Sequence, residues 1–215
     1  GRAGVAIGGA NALAAGLMLA ASVALVQEGL AVASAATVAG MILGIACIAA
    51  SDRLLARRGP DDVADLAGAN AAKALLILGV MTAHSFAEGI GVGVSFAGRE
   101  GLGVYITAAI ALHNVPEGLA IALVLVPRGT PVWKAALLAV FTSLPQPLMA
   151  VPAYLFVGVF EPLLPVGLGL AAGAMVWMVL GEIFPDATDS VAPERAATYA
   201  TLAFAVMIGV QAAML

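Results

Sequence analysis

Apolar residues run along this chain in blocks of about 20 or more, interrupted by short polar or helix-breaking segments. The blocks predict seven spans, at approximately 5–27, 30–51, 70–97, 102–126, 132–159, 163–184 and 196–215. About 20 helical residues suffice to cross a hydrocarbon core of roughly 30 Å. The separators are short: Gly98-Arg99-Glu100-Gly101, the breaker-rich Pro127-Arg128-Gly129-Thr130-Pro131, and Glu161-Pro162 with Pro165. The longest polar stretch, 51–70, carries Asp52, Arg53, Arg57, Arg58, Asp61, Asp62 and Asp65, and is predicted to be a mobile aqueous loop, cytoplasmic over about 52–69. No stretch alternates with period two, which excludes a β-barrel on pattern. The predicted fold class is all-α: a polytopic transmembrane helix bundle, one domain over 1–215.

Composition strengthens this. The chain is 62% hydrophobic and 10% charged, against about 25% charged for soluble domains; its mean hydropathy is +1.07. Gly and Ala are abundant, as expected where helices approach closely in lipid. A net charge of −4 leaves no basic footprint for nucleic acid. The single cysteine, Cys47, lies in an apolar block and forms no internal disulfide. Alternating spans put Arg2, Arg53, Arg57, Arg58, Lys73, Arg128, Lys134 and Arg195 on one side and Arg99 alone on the other. That bias predicts a cytoplasmic residue 1 and an external Leu215.

Most acidic residues fall in loops or at span ends; Glu88 and Glu117 do not. An ionisable group deep in a bilayer costs at least about 2.5–3.5 kcal/mol on insertion scales, so it points to function. Each glutamate follows a histidine by four residues and precedes a glycine: His84-Ser85-Phe86-Ala87-Glu88-Gly89 and His113-Asn114-Val115-Pro116-Glu117-Gly118. These are the chain's two histidines. The spacing puts each His and Glu on one helix face, a turn apart. Consecutive spans joined by a short turn are expected to be antiparallel neighbours, so the two motifs meet at similar depth about a pseudo-two-fold axis in the membrane plane. Two imidazoles and two carboxylates suit zinc and other divalent first-row metals. Ser85 and Asn114 add weaker oxygen donors. Pro116 frees the Leu112 carbonyl near the site, and Gly89 and Gly118 are expected to allow close helix approach. Interhelical His–Glu bonds that merely brace the bundle return less in membranes than four buried ionisable groups cost.

Other polar positions inside or beside spans are candidates for a solute path. Thr142-Ser143-Leu144-Pro145-Gln146-Pro147 predicts a kinked helix, with Ser143 on a path. Glu182, followed by Asp186, is a candidate exit ligand; Gln27-Glu28 marks the opposite end of the first span. Met18 offers a thioether within that span. Trp133 reads as an interface anchor and Trp177 as packing.

With these residues set out, the chain resembles the ZIP (zinc/iron-regulated-transporter-like) metal transporters. His113-Asn114-Val115-Pro116-Glu117-Gly118 carries the most specific part. Residues 15–22, 143–148 and 173–186 look like the family's second, sixth and seventh helices. The resemblance implies an eight-helix fold with both termini outside. The seven spans would then be helices two to eight, with the first absent from this chain. It implies a binuclear centre with His84, Glu88, His113 and Glu117 as primary ligands, Met18 contributing, and Ser85 and Asn114 at a second metal. Gln146 stands where many relatives carry Glu, and 51–70 contains no histidine. The second site is therefore expected to be weak or vacant, and metal capture by that loop is not expected.

The expected function is movement of a divalent transition metal, zinc first, with iron, manganese or cadmium as other cargoes, toward the cytoplasm. No cofactor is expected beyond the transported Zn2+, for which Cd2+ can substitute. The expected partners are that ion and the lipid bilayer of a bacterial inner membrane, with a homodimer as the assembly considered. A proton-coupled organic-solute carrier would use the His–Glu pairs as relays. An intramembrane metallohydrolase fits less well, because His-Glu-x-x-His is missing and both glutamates are committed as ligands. No enzyme activity is expected.

Overall fold

The computed structural model describes residues 2–58, 69–98 and 100–214; within them, the side chains of 2–3, 55–58, 69–70, 97–98, 100, 102, 105, 106, 109, 112, 113, 116 and 214 fall outside the described set. The elements are α1 (Arg2–Val32), α2 (Ser34–Arg58), α3 (Ala69–Gly98), α4 (Glu100–Leu125), α5 (Val132–Ser143), α6 (Pro145–Leu155), α7 (Val157–Phe160), α8 (Leu164–Met178), α9 (Phe184–Ser190) and α10 (Pro193–Met214). The chain is an all-α, polytopic helix bundle. Among the described residues, six helical stretches are long and apolar enough to cross a membrane: Gly4–Val32, Ser34–Leu54, Ala71–Phe96, Val132–Leu155, Val157–Ser190 and Pro193–Ala213. The remaining predicted span, 102–126, is helix α4, parts of which lie outside the described set.

Several boundaries differ from the hydropathy blocks. Helix α2 continues through Asp52 and Arg53 to Arg58, because a formed helix propagates into polar sequence at little cost once nucleated. The predicted mobile loop is thus helical over 51–58, while 59–68 lie outside the described residues. The predicted kink is present, with α5 ending at Ser143 and α6 starting at Pro145. The hydroxyls of Thr142 and Ser143 both donate to the Ala139 carbonyl, at 2.8 and 3.1 Å, and Pro145 and Pro147 lack amide donors. From α6 to α8 the chain stays helical through α7 and a 3-10 turn, Glu161–Leu163. A π-helical turn, Val179–Ile183, separates α8 from α9.

The helices pack as two halves. In one, α1 lies against α8, α9 and α10, and α2 runs along α8. In the other, α3 lies against α4, α5 and α6. The halves meet where α1 touches α4 and α3 touches α8. Glycines set the tightest joints. A Cβ at Gly40 or Gly44 would collide with the Val166 or Leu170 carbonyl of α8, and one at Gly169 or Gly173 with the Thr37 or Met41 carbonyl of α2. Such backbone-to-backbone approach is how small residues join helices in lipid. Gly89 does the same on α3, where a Cβ would strike the backbone of Gln146. Gly118 does not, since its nearest neighbour would be the Ala139 Cβ at 3.7 Å, an ordinary contact. The expectation of matched close approach at both motif glycines is therefore corrected. The polar core described next sits in the α3–α4–α6 half, above a packed core that includes Ile77, Met81, Val124, Met175 and Met178. Large apolar side chains such as Ile42, Leu137, Val140, Leu148 and Val206 face outward.

Candidate metal site

Helix α3 presents His84 and Glu88 one turn apart, and neighbouring α4 brings Glu117 to them. His84 Nε2 lies 3.2 Å from Glu88 Oε1 and pairs also with Glu117 Oε1. All three are buried, at 0, 2 and 6% exposure. Each offers one ligand atom, and these atoms all lie within 4.8 Å of one another. The group combines one imidazole with two carboxylates. Metal ligands bind deprotonated, so the trio would carry two negative charges, which a divalent cation cancels. A monovalent cation would leave a buried negative charge uncompensated, which is costly in low dielectric. Among the described residues this is the one His/Cys/Asp/Glu cluster of that kind.

A chain of amides extends the trio. Gln146 Nε2 donates to Glu88 Oε2 at 3.2 Å, and Asn114 Nδ2 donates to Gln146 Oε1 at 2.7 Å. The direction of donation is set by chemistry: a carboxylate only accepts, so Gln146 must turn its NH2 to Glu88 and its oxygen to Asn114. This reach depends on the Gly89 joint, which holds α6 against α3 one residue beyond Glu88. Gln146 therefore acts here as a neutral donor that orients a carboxylate.

The other predicted positions are placed as follows. Ser85 is buried beside His84. The backbone of His113 is part of α4, but its side chain lies outside the described residues. Met18 is buried and lines a narrow gap with Glu117. Ser143 donates its hydroxyl to its own helix and borders a cavity that also reaches Asn114. Glu28 on α1 is half-buried near Gly91 of α3, one turn beyond Glu88. Glu182 and Asp186 are not near the trio in sequence or in partners: Lys73 Nζ sits 3.1 Å from Glu182 and 2.6 Å from Asp186, and Arg128 Nη2 is 2.5 Å from Asp186. Arg128 Nη1 also donates to Asn11 Oδ1 at 3.1 Å. This network ties α3 and the 3-10 turn after α4, Val126–Arg128, to α1, the π turn and α9.

Sequence reasoning used Lys73 and Arg128 only as topology markers and passed over Asn11. The i,i+4 pair Glu182/Asp186, lying at the same bundle end as two basic residues, was the available signal. Met81, Met175 and Met207, which share the gap with Met18, gave no local signal.

The family model described as ZIP Zinc transporter matches residues 52–214. The chain is 47% identical over 200 residues to "Putative zinc transporter At3g08650" of Arabidopsis thaliana, covering 92% of this chain and 32% of that protein. It is 39% identical over 114 residues to zinc transporter GufA of Myxococcus xanthus, covering 53% and 45% respectively. It is 35% identical over 133 residues to zinc transporter ZIPB of Bordetella bronchiseptica, covering 61% and 43%. The matched region thus spans between about a third and under half of the length of these relatives.

Proposed function

We propose, on the premise that this chain belongs to the ZIP zinc-transporter family, that it carries a divalent transition metal across a bilayer through the His84–Glu88–Glu117 cluster. The observation that carries this is the convergence of one imidazole and two carboxylates, all buried, from two adjacent helices. Zinc is the proposed cargo, supported by N/O donors of borderline hardness and by the relatives' names; Cd2+ would use the same donors. Glu88 and Glu117 supply charge and His84 supplies the nitrogen. Gln146 holds Glu88, and Met18, Ser85 and Asn114 flank the ion. His113 is proposed as a further ligand from its place in the motif. Because Ser85, Asn114 and Gln146 carry no charge, one firm metal position is expected and a second is weak or vacant.

The topology proposed is seven spans, corresponding to family helices two to eight, with residue 1 cytoplasmic and the C-terminus external, supported by the one-sided distribution of basic residues. Transport runs toward the cytoplasm. The proposed location is a bacterial inner membrane; the relatives themselves span bacteria and eukaryotes. The proposed assembly is a homodimer without nucleic acid. Glu28, Ser143, Glu182 and Asp186 are proposed to border the path; the last two would have to release Lys73 and Arg128 to receive an ion.

The test is zinc uptake into liposomes carrying the purified protein. The His84→Ala/Glu117→Ala variant is expected to lose uptake and zinc binding together; unchanged uptake would sink the proposal. A proton-coupled organic carrier would instead keep its transport with no stoichiometric zinc in the purified protein.

A further inference from the structure

Glu117 faces a second environment besides His84. With Met18 from α1, Met81 from α3, Met175 from α8 and Met207 from α10, it lines a narrow gap where the two halves meet. The four methionines are at most 2% exposed, and the gap has no room for a water molecule. The rest of the lining, Leu17, Ala21 and Ala120, is hydrocarbon. Among the described residues lining this gap, the side-chain atoms able to bind a cation are thus the Glu117 carboxylate and four thioether sulfurs. Methionine is a common filler of irregular cores, and one or two at this point would need no further account. Here four of the chain's eight methionines, each from a different helix, line the same gap as one glutamate of the metal cluster.

The direction matters as well. Met81 lies about one turn from His84, and Ala120 about one turn from Glu117, both toward the end that carries Lys73 and Arg128. Between the gap and that ion-pair network, about 12 Å along α3 from Met81 to Lys73 at ~1.5 Å per residue, the packed interior is made of residues such as Ile77, Val80, Ile121, Val124 and Met178. Among the described side chains, the methionines lie between the trio and the Lys73–Arg128 network.

We propose that Met18, Met81, Met175 and Met207 form, with Glu117, a thioether subsite on the inward side of the metal cluster that accepts soft cations, Cd2+ and monovalent coinage-metal ions, and disfavours hard ions such as Mg2+, Ca2+ and Mn2+. Thioethers are soft ligands and select for soft metals; zinc, being borderline, is tolerated. The subsite rests on the metal-carrying role proposed for Glu117. Met18 is expected from the family resemblance; Met81, Met175 and Met207 are assigned by their place around the gap.

Silver(I) is the probe, in a Cys47→Ser background so that the exposed thiol does not compete. The comparison is with Met81→Leu/Met175→Leu/Met207→Leu, which keeps volume nearly constant and removes the sulfur lone pairs. Silver affinity is expected to fall about tenfold or more, while zinc affinity changes by less than about twofold. X-ray absorption of the silver-loaded protein is expected to show sulfur neighbours that the variant loses. Unchanged silver affinity, or silver without sulfur neighbours, overturns the subsite. Zinc affinity falling in parallel with silver also overturns it, because the methionines would then act through packing of the trio. Should the triple variant fail to fold, the three single changes are read by the same criteria. Failure of zinc uptake in the unaltered protein, with the silver result intact, sinks the transport proposal and leaves the subsite standing.

Discussion

Replacing Gly89 by Ala tests how the amide chain is held against the metal cluster. The added Cβ would overlap the carbonyl oxygen, Cα and carbonyl carbon of Gln146. These are backbone atoms, so no side-chain rotation relieves the clash and α6 must move off α3. Overpacking of this kind costs typically about 1–3 kcal/mol, and a backbone obstacle puts it at the upper end. Ala gains roughly 0.8–1 kcal/mol over Gly as a helix former, leaving a net loss of about 2 kcal/mol. If α6 shifts enough to break the 3.2 Å bond from Gln146 to Glu88, a hydrogen bond to a charged group worth about 1.5–3 kcal/mol goes too. Gly118→Ala is the control. Among the described residues its Cβ meets just the Ala139 methyl at 3.7 Å, so propensity dominates and the change is expected to be neutral or stabilising by up to about 1 kcal/mol. Thermal unfolding in detergent, with and without zinc, reads both. Gly89→Ala should lower the midpoint and shrink the zinc-induced rise, while Gly118→Ala should do neither. Equal behaviour of the two variants would refute the asymmetric joint.

Two further outcomes are expected. Gln146→Leu removes the donor to Glu88 while keeping bulk, and zinc affinity, measured by competition with a chelating dye, should fall about tenfold, the lower range for loss of a partner that orients a ligand. Asp186→Asn leaves Lys73 and Arg128 short of a carboxylate, and thermal unfolding should register a loss of about 1–2 kcal/mol, below the 3–5 kcal/mol of a fully buried pair because Asp186 is partly exposed. Asp186→Glu, which keeps the carboxylate beside Lys73 and Arg128, should lose less, and an equal loss would argue that the network is not an electrostatic tie.

What was legible in the sequence follows from the range over which each signal acts. Hydropathy and i,i+4 spacing are local, and they located the six spans found among the described residues, the Ser143–Pro145 break and the His84–Glu88 face. The meeting of Glu117 with His84 also came through, because two consecutive antiparallel helices leave little freedom in pairing. Helix ends were less legible, since α2 extends through residues whose polarity marks the edge of the lipid and not the end of the helix. The roles of Gly89 and Gly118 looked identical in sequence and differ in the structure because only α3 has another backbone pressed against its glycine. Longer-range relations carried no local trace: Lys73 meets Asp186 across 113 residues, and Met207 reaches the gap from the last helix. The π turn at Val179–Ile183 was equally silent, its apolar residues fitting an ordinary helix.

The two-half packing has a consequence for how the chain can move. One half is built from 2–58 and 164–214 and the other from the segment between, so the two are covalently joined at two points in the chain. Two crossings impose few covalent constraints on sliding one half past the other. His84, Glu88, Glu117, Asn114 and Gln146 all belong to the middle half and would travel as a set. The sulfurs are divided: Met81 rides with the set, and Met18, Met175 and Met207 stay behind. A shift along the seam would therefore alter how many thioethers face Glu117 without altering the trio itself, so the coordination number of a bound ion becomes a readout of relative position.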